Sequence, residues 1–133
     1  MPLTVFCTYC SARKNPAKSP IRAIERYISK RINSVAEKAK SEHSKFMIFS
    51  GKYGLIGPDQ TIPDYNHLLM PKEIETHSSF VAKQIKEKKI EKILFYVGDT
   101  VADKNIKTYA ECASRACEKA HIDFEIRRTP VNE

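Results

Sequence analysis

The chain has no tryptophan, only four glycines, and no apolar run longer than four or five residues. A membrane-spanning helix needs roughly 20 apolar residues in a row, so no membrane span is expected. Met1-Pro2-Leu3-Thr4 offers no basic leader and runs straight into a strand-like stretch, so no signal peptide is read. The cytoplasm is the expected compartment. In that reducing setting the four cysteines, Cys7, Cys10, Cys112 and Cys117, read as free thiols rather than disulfides. No phosphate-binding Walker loop, Rossmann fingerprint, zinc-hydrolase motif or Ser-His-Asp order occurs. His43, His67, His77 and His121 are scattered without ligand spacing, so neither a metal nor a cofactor is expected.

What is present is charge. Basic residues number 23 against 16 acidic, a formal +7. That balance suits anionic partners such as nucleotides, tRNA or DNA, and equally a solvated lysine-rich surface. With 133 residues the chain reads as one domain, 1–133, built on one core.

Short, nearly continuous apolar runs mark three strands, Leu3 to Tyr9, Lys45 to Ser50 and Lys92 to Gly98. Strands covered on both faces by helices have this pattern. Asp123 to Arg128 alternates apolar and charged residues, as an edge strand with one wet face does. Between them lie helical patterns. Ile21, Ile24, Ile28, Ile32 and Val35 form one stripe, which Ser19 and Pro20 would open. Ile74, Val81 and Ile85 form a second behind Pro71, and Ile106 to Ala120 carries a third. The expected fold is an α/β three-layer sandwich, with a mostly parallel four-stranded sheet in the order 2-1-3-4 and helices on both faces.

One connection is unusually long. About 20 residues, Gly51 to Pro71, separate a strand from a helix and hold three of the glycines. Tyr53, Leu55, Ile56, Ile62, Tyr65 and Leu69 make it too apolar for disorder, so a packed functional loop is expected, unless it only covers a sheet edge.

Ligands of open parallel sheets bind at the carboxyl ends of the strands. Cys10-Ser11-Ala12-Arg13-Lys14, Ser50-Gly51-Lys52-Tyr53-Gly54 and Gly98-Asp99-Thr100 fall at such ends. Ser11, Arg13, Lys14, Ser50, Gly51 and Lys52 offer hydroxyls, backbone donors and cations that suit a phosphate or carboxylate. Tyr53 can stack on a base or pack the loop. Asp64 and Tyr65 suit an acid/base pair or ribose contacts, and Asp99 a ribose hydroxyl or a helix cap. Cys10 is the candidate nucleophile, activated by nearby cations, or else a small residue closing a strand. Cys7 and Cys10 form a Cys-x-x-Cys, but Cys7 falls inside a strand pattern and Pro16 and Pro20 interrupt the helix that a redox motif opens. A zinc site is disfavoured because Cys112 and Cys117 diverge on a helix.

Ser50-Gly51-Lys52-Tyr53-Gly54-Leu55-Ile56-Gly57-Pro58, followed by Ile62-Pro63-Asp64-Tyr65, resembles the central motif of the YaaA peroxide-stress family. Cys10-Ser11-Ala12-Arg13-Lys14 is similar to the Pro-Cys-Ser-x-x-Lys-Pro motif of the lysine-transfer domain of archaeosine synthase. The resemblance spans residues 3 to 70. It departs at Tyr9, where the second motif has Pro, at Asn15, which separates Lys14 from Pro16, and at Asn66, where the first has Arg. It implies involvement with a nucleobase, tRNA or DNA: lysine addition to a nitrile-bearing deazaguanine in one family, DNA binding in oxidative stress in the other. The expectation is a nucleotide- or nucleobase-binding domain acting as a transferase or lyase, with Cys10 or Asp64 performing the chemistry. The alternative is a non-catalytic DNA- or RNA-binding stress or defence protein.

Overall fold

The computed structural model describes residues 3–98 and 104–130. Its main sheet contains β1 (Thr4–Tyr9), β3 (Lys45–Ser50), β4 (Gly54–Ile56), β6 (Lys92–Val97) and β7 (Asp123–Arg128). The order is β4-β3-β1-β6-β7. All neighbours are parallel except β3 and β4, which pair antiparallel with Phe49 opposite Leu55. The α/β class therefore holds, but the sheet has five strands rather than four, and its order begins with a strand that was not expected. The extra strand lies within the long connection: residues 51–53 turn the chain back along β3. Gly54, at φ 72°, adopts the left-handed conformation that favours glycine. The Gln84 side chain then closes the new edge, accepting from the Leu55 amide at 2.8 Å and donating to the Tyr53 carbonyl at 3.1 Å.

β1 is central. Its odd residues Val5, Cys7 and Tyr9 face one apolar core, and Phe6 faces the other. α3 (Ile74–Glu87) and α4 (Lys104–Ala120) cover the first face, while α1 (Ala23–Arg26) and α2 (Lys30–Ser41) cover the second. Pro71 opens a 3-10 turn, Pro71–Glu73, that leads into α3. A small second sheet pairs β2 (Ile21–Arg22) with β5 (Thr61–Ile62). Among the described residues no helix is long and apolar enough to cross a membrane.

The first helical stripe is not one helix. It is split into β2, α1 and α2, and Ser29 rather than Ser19 is the operative cap, its hydroxyl accepting from the Ile32 amide at 3.1 Å. Ile28, on the expected apolar stripe, is 43% exposed. The break has a tertiary cause. The Ile28 amide donates to the Arg13 carbonyl at 3.0 Å, and Lys14 bridges to Tyr27. The fully buried Arg26 donates to the carbonyls of Asn15 (2.6 Å), Ala17 (2.9 Å), Ser19 (2.9 Å) and Ile62 (3.2 Å). One guanidinium thus pins the segment after Lys14 against β5.

Candidate functional site

The chain passes from β1 to β3 on one side of β1, then crosses back to β6 on the other. Such a reversal parts the loops at the carboxyl ends of the strands and leaves a crevice there. Cys10 follows β1 at this point, with its amide bonded to the Phe49 carbonyl at 3.0 Å. Its half-buried thiol donates to the Tyr109 hydroxyl at 3.7 Å, and the Leu69 amide donates to the same oxygen at 3.2 Å.

Beside it runs a chain of hydroxyls. Tyr27 and Tyr65 share a short hydrogen bond, and Tyr65 is bonded to Ser50 Oγ at 2.9 Å. Ser50 Oγ also accepts from the amides of Lys52 (3.1 Å) and Tyr53 (3.0 Å), which fixes the turn between β3 and β4. Burial first, and the electrostatic influence of neighbouring Cys10 second, push the phenols of Tyr27, Tyr65 and Tyr109 well above the ordinary tyrosine range. They remain protonated donors at neutral pH.

The cations sit over this layer. Lys14 Nζ lies 4.8 Å from the Tyr65 ring centroid and 6.0 Å from that of Tyr27. Lys52 Nζ lies 5.4 Å from the Tyr53 centroid and 5.8 Å from the Tyr65 centroid. Neither has a carboxylate partner among the described residues. Beneath the strand end, the buried Arg31 stacks on Tyr9, its guanidinium carbon 3.5 Å from the ring centroid, and donates to the carbonyls of Tyr9 (2.7 Å) and Cys10 (3.5 Å). Its guanidinium lies under the crevice. His77 Nε2 meets the Ser50 carbonyl at 2.9 Å, and burial holds its imidazole below the usual histidine range.

The structure therefore gathers Cys10, Lys14, Ser50, Lys52, Tyr53 and Tyr65. Gly51 is buried against them: a Cβ there would lie 2.9 Å from the Tyr109 hydroxyl. Ser11 is buried and spends its hydroxyl on the Arg13 carbonyl at 2.8 Å, so it shapes the loop. Arg13 is exposed, as is Asp64, which makes no hydrogen bond or ion pair among the described residues. Asp99 lies outside the described residues. Tyr27, Arg31 and Tyr109 join the site without having been singled out from the sequence. Tyr109 reads there as one more member of the α4 stripe, Tyr27 sits in a helical pattern, and only the proximity of Arg31 to the buried Ile32 hints at an unusual environment.

Cys7, Cys112 and Cys117 are buried free thiols. Burial pushes Cys7 far above the thiol range, and Cys112 and Cys117 up to about 12. No group of three or more potential metal ligands occurs among the described residues.

Residues 5–123 match the model of a family described as a family of unknown function, DUF6884. The chain belongs to that family. The matched span contains every member of the Cys10–Lys14–Ser50–Tyr65 cluster, together with Tyr27 and Tyr109. No curated protein and no solved structure matches the chain.

Proposed function

We propose that this domain binds a nucleotide or nucleobase at the carboxyl ends of β1 and β3, and acts on it as a transferase of the deazaguanine-modification type. The observation that carries the reading is the convergence of Lys14 and Lys52 on the ring of Tyr65, without carboxylate partners among the described residues, beside the Cys10 thiol. A crevice with two cations that have no carboxylate partner among the described residues, protonated phenols and a half-buried thiol suits an anionic aromatic ligand. The lysines meet phosphate, the phenols donate to the heteroatoms of the base, and Tyr53 packs edge-on against Tyr65, 5.1 Å between centroids, as a wall.

In this proposal Cys10 is the catalytic residue. Its sulfur adds to the carbon of a base-borne nitrile, one C–N π bond breaks, and the nitrogen takes the thiol proton, giving a thioimidate. An amine then attacks that carbon, the C–S bond breaks, and the sulfur leaves as the thiol, so the product is an amidine. Asp64, exposed and apart from the cluster, is not needed for these steps. The test is titration of Lys14→Ala and Lys52→Ala against mononucleotides. Charge-assisted hydrogen bonds contribute about 1.5–3 kcal/mol each, so each variant should bind roughly ten- to a hundredfold more weakly with an unchanged melting temperature. Unchanged affinity, or no binding by the native protein, refutes the reading.

The second reading is a DNA- or RNA-binding protein without turnover. Lys83, Lys86, Lys88 and Lys89 favour it, being exposed at the far end of α3 with no acidic partner among the described residues. A steep salt dependence that survives loss of both Lys14 and Lys52 would select it.

A further inference from the structure

A second concavity adjoins the crevice. It is an open cleft of about 600 Å³ lined by Lys52, Lys72, Glu73, Thr76, His77 and Phe80. Its floor is aromatic: the rings of His77 and Phe80 lie 5.9 Å apart, tilted by 36°, and Phe80 is 46% exposed. A large aromatic left half in water at the base of a cleft is available to stack on a ligand. The flanks are cationic. Lys72, like Lys52, has no carboxylate partner among the described residues. The one acid in the lining is already engaged: Glu73 accepts from the Met70 amide at 2.9 Å and pairs with His67 Nε2 at 3.0 Å. The cleft and the crevice share residues. Lys52 lines the cleft and also lies over Tyr53 and Tyr65, and His77 is bonded to the carbonyl of Ser50, whose hydroxyl belongs to the crevice network.

We propose that this cleft takes the nucleotide flanking the one held in the crevice, so that the substrate is a single-stranded nucleic acid rather than a free nucleotide. Phe80 stacks on the flanking base, Lys72 contacts its outer phosphate, and Lys52 meets the phosphate that joins the two units. Stacking on an aromatic accepts every base, and a cation beside it tracks the backbone, which is how single strands are held without sequence readout. A protein partner docking on Phe80 would meet two lysines that have no carboxylate partner among the described residues, whereas a polyanion is complementary to them. The inference rests on the nucleotide reading of the crevice and states which chemical form of the ligand the site was built for.

The experiment compares uridine and thymidine monophosphates with the corresponding five-residue single strands, oligo(U) and oligo(dT), by titration against the native protein, Phe80→Ala, Lys72→Ala and Lys14→Ala. The two strands separate RNA from DNA as the source of the same chemistry. Lys72 is exposed, so its variant keeps the native melting temperature; Phe80 is half-buried against His77, so Phe80→Ala is titrated well below its own melting temperature. The expected result is that a strand binds the native protein at least tenfold more tightly than its monophosphate. Phe80→Ala and Lys72→Ala each remove about tenfold of strand affinity and leave monophosphate affinity unchanged. Lys72→Ala also reduces the slope of log affinity against log salt by about 0.7. Strands bound no more tightly than monophosphates, or strand affinity unaffected by either variant, overturns the inference while leaving the crevice reading intact. Failure of both ligand forms to bind the native protein overturns the crevice reading and this inference with it.

Discussion

Gly51→Ala tests whether the Tyr109 hydroxyl is locked into the crevice. The backbone itself does not resist alanine, since Gly54, not Gly51, is the glycine at positive φ. The obstacle is space. A Cβ at 51 would lie 2.9 Å from Tyr109 Oη, 3.0 Å from Leu69 Cβ and 3.1 Å from the Leu69 nitrogen. Ordinary contact needs several tenths of an ångström more, and the phenol can yield only by lengthening the 3.2 Å bond from the Leu69 amide and leaving the Cys10 thiol. Overpacking of this kind costs about 1–3 kcal/mol. An orphaned buried amide costs about 1–3 kcal/mol more. Restricting the unfolded chain returns about 0.4–1 kcal/mol. The net expectation is a loss of about 3 kcal/mol, measured by urea unfolding with an unchanged slope. Tyr109→Phe alone loses the two hydrogen bonds but relieves the oxygen contact. In the double variant the penalties must therefore fall short of their sum by more than about 1 kcal/mol. Residual crowding against Leu69 keeps it below the native protein. Additivity within about 0.5 kcal/mol would show that Tyr109 is not what the new methyl meets, and would refute the packing described here.

Three further outcomes follow from the geometry. In the folded protein at pH 8 a small alkylating reagent should modify Cys10 first, with Cys7, Cys112 and Cys117 reacting only after unfolding, because burial holds their protons; mass spectrometry of the digest reads this directly. Arg26→Gln strips buried carbonyls of their donor and should lower stability by about 3–5 kcal/mol, with protease cleavage appearing first between residues 15 and 20; a change below 1 kcal/mol would mean the four bonds do not anchor that segment. His77 has a folded-state pKa below its unfolded value, so its contribution to stability is complete above about pH 6.5 and is lost as pH falls through the depressed folded-state value. His77→Gln should flatten the fall in unfolding free energy between pH 7.5 and 5, and an unchanged profile would assign that fall to other groups.

Much of this architecture was legible from the residues. β1, β3 and β6 announce themselves because strands buried on both faces carry nearly unbroken apolar runs, and β7 because its charges alternate. The broken first helix was not legible. Ile24, Ile28 and Ile32 keep helical spacing straight through the break, and what decides against it is non-local: the Arg13 carbonyl claims the Ile28 amide, and the Arg26 guanidinium serves carbonyls far along the chain. Three-residue β4 escaped notice because so short a run carries no readable period, and its outer edge is closed by Gln84, about 30 residues away. At the site, Lys14, Ser50, Lys52, Tyr53 and Tyr65 stood out because two motifs fall at strand ends. Asp64 stood out for the same reason, yet it is exposed while its neighbour Tyr65 turns inward. Tyr27 and Tyr109 were invisible because a phenol that carries a hydroxyl into a crevice is written in sequence like one that only fills a core.

The amide of Gln84 has a consequence beyond its two bonds. By accepting from Leu55 and donating to Tyr53 it imitates a sixth strand on the β4 side, so an incoming extended chain finds that margin already occupied. The opposite margin, β7, is guarded differently, by Asp123, Glu125, Arg127 and Arg128 on a strand that is mostly exposed. The sheet is stoppered at one end by a side chain and repels strangers at the other by charge. In a small domain of formal charge +7, these two margins are where edge-to-edge polymerisation would have to begin.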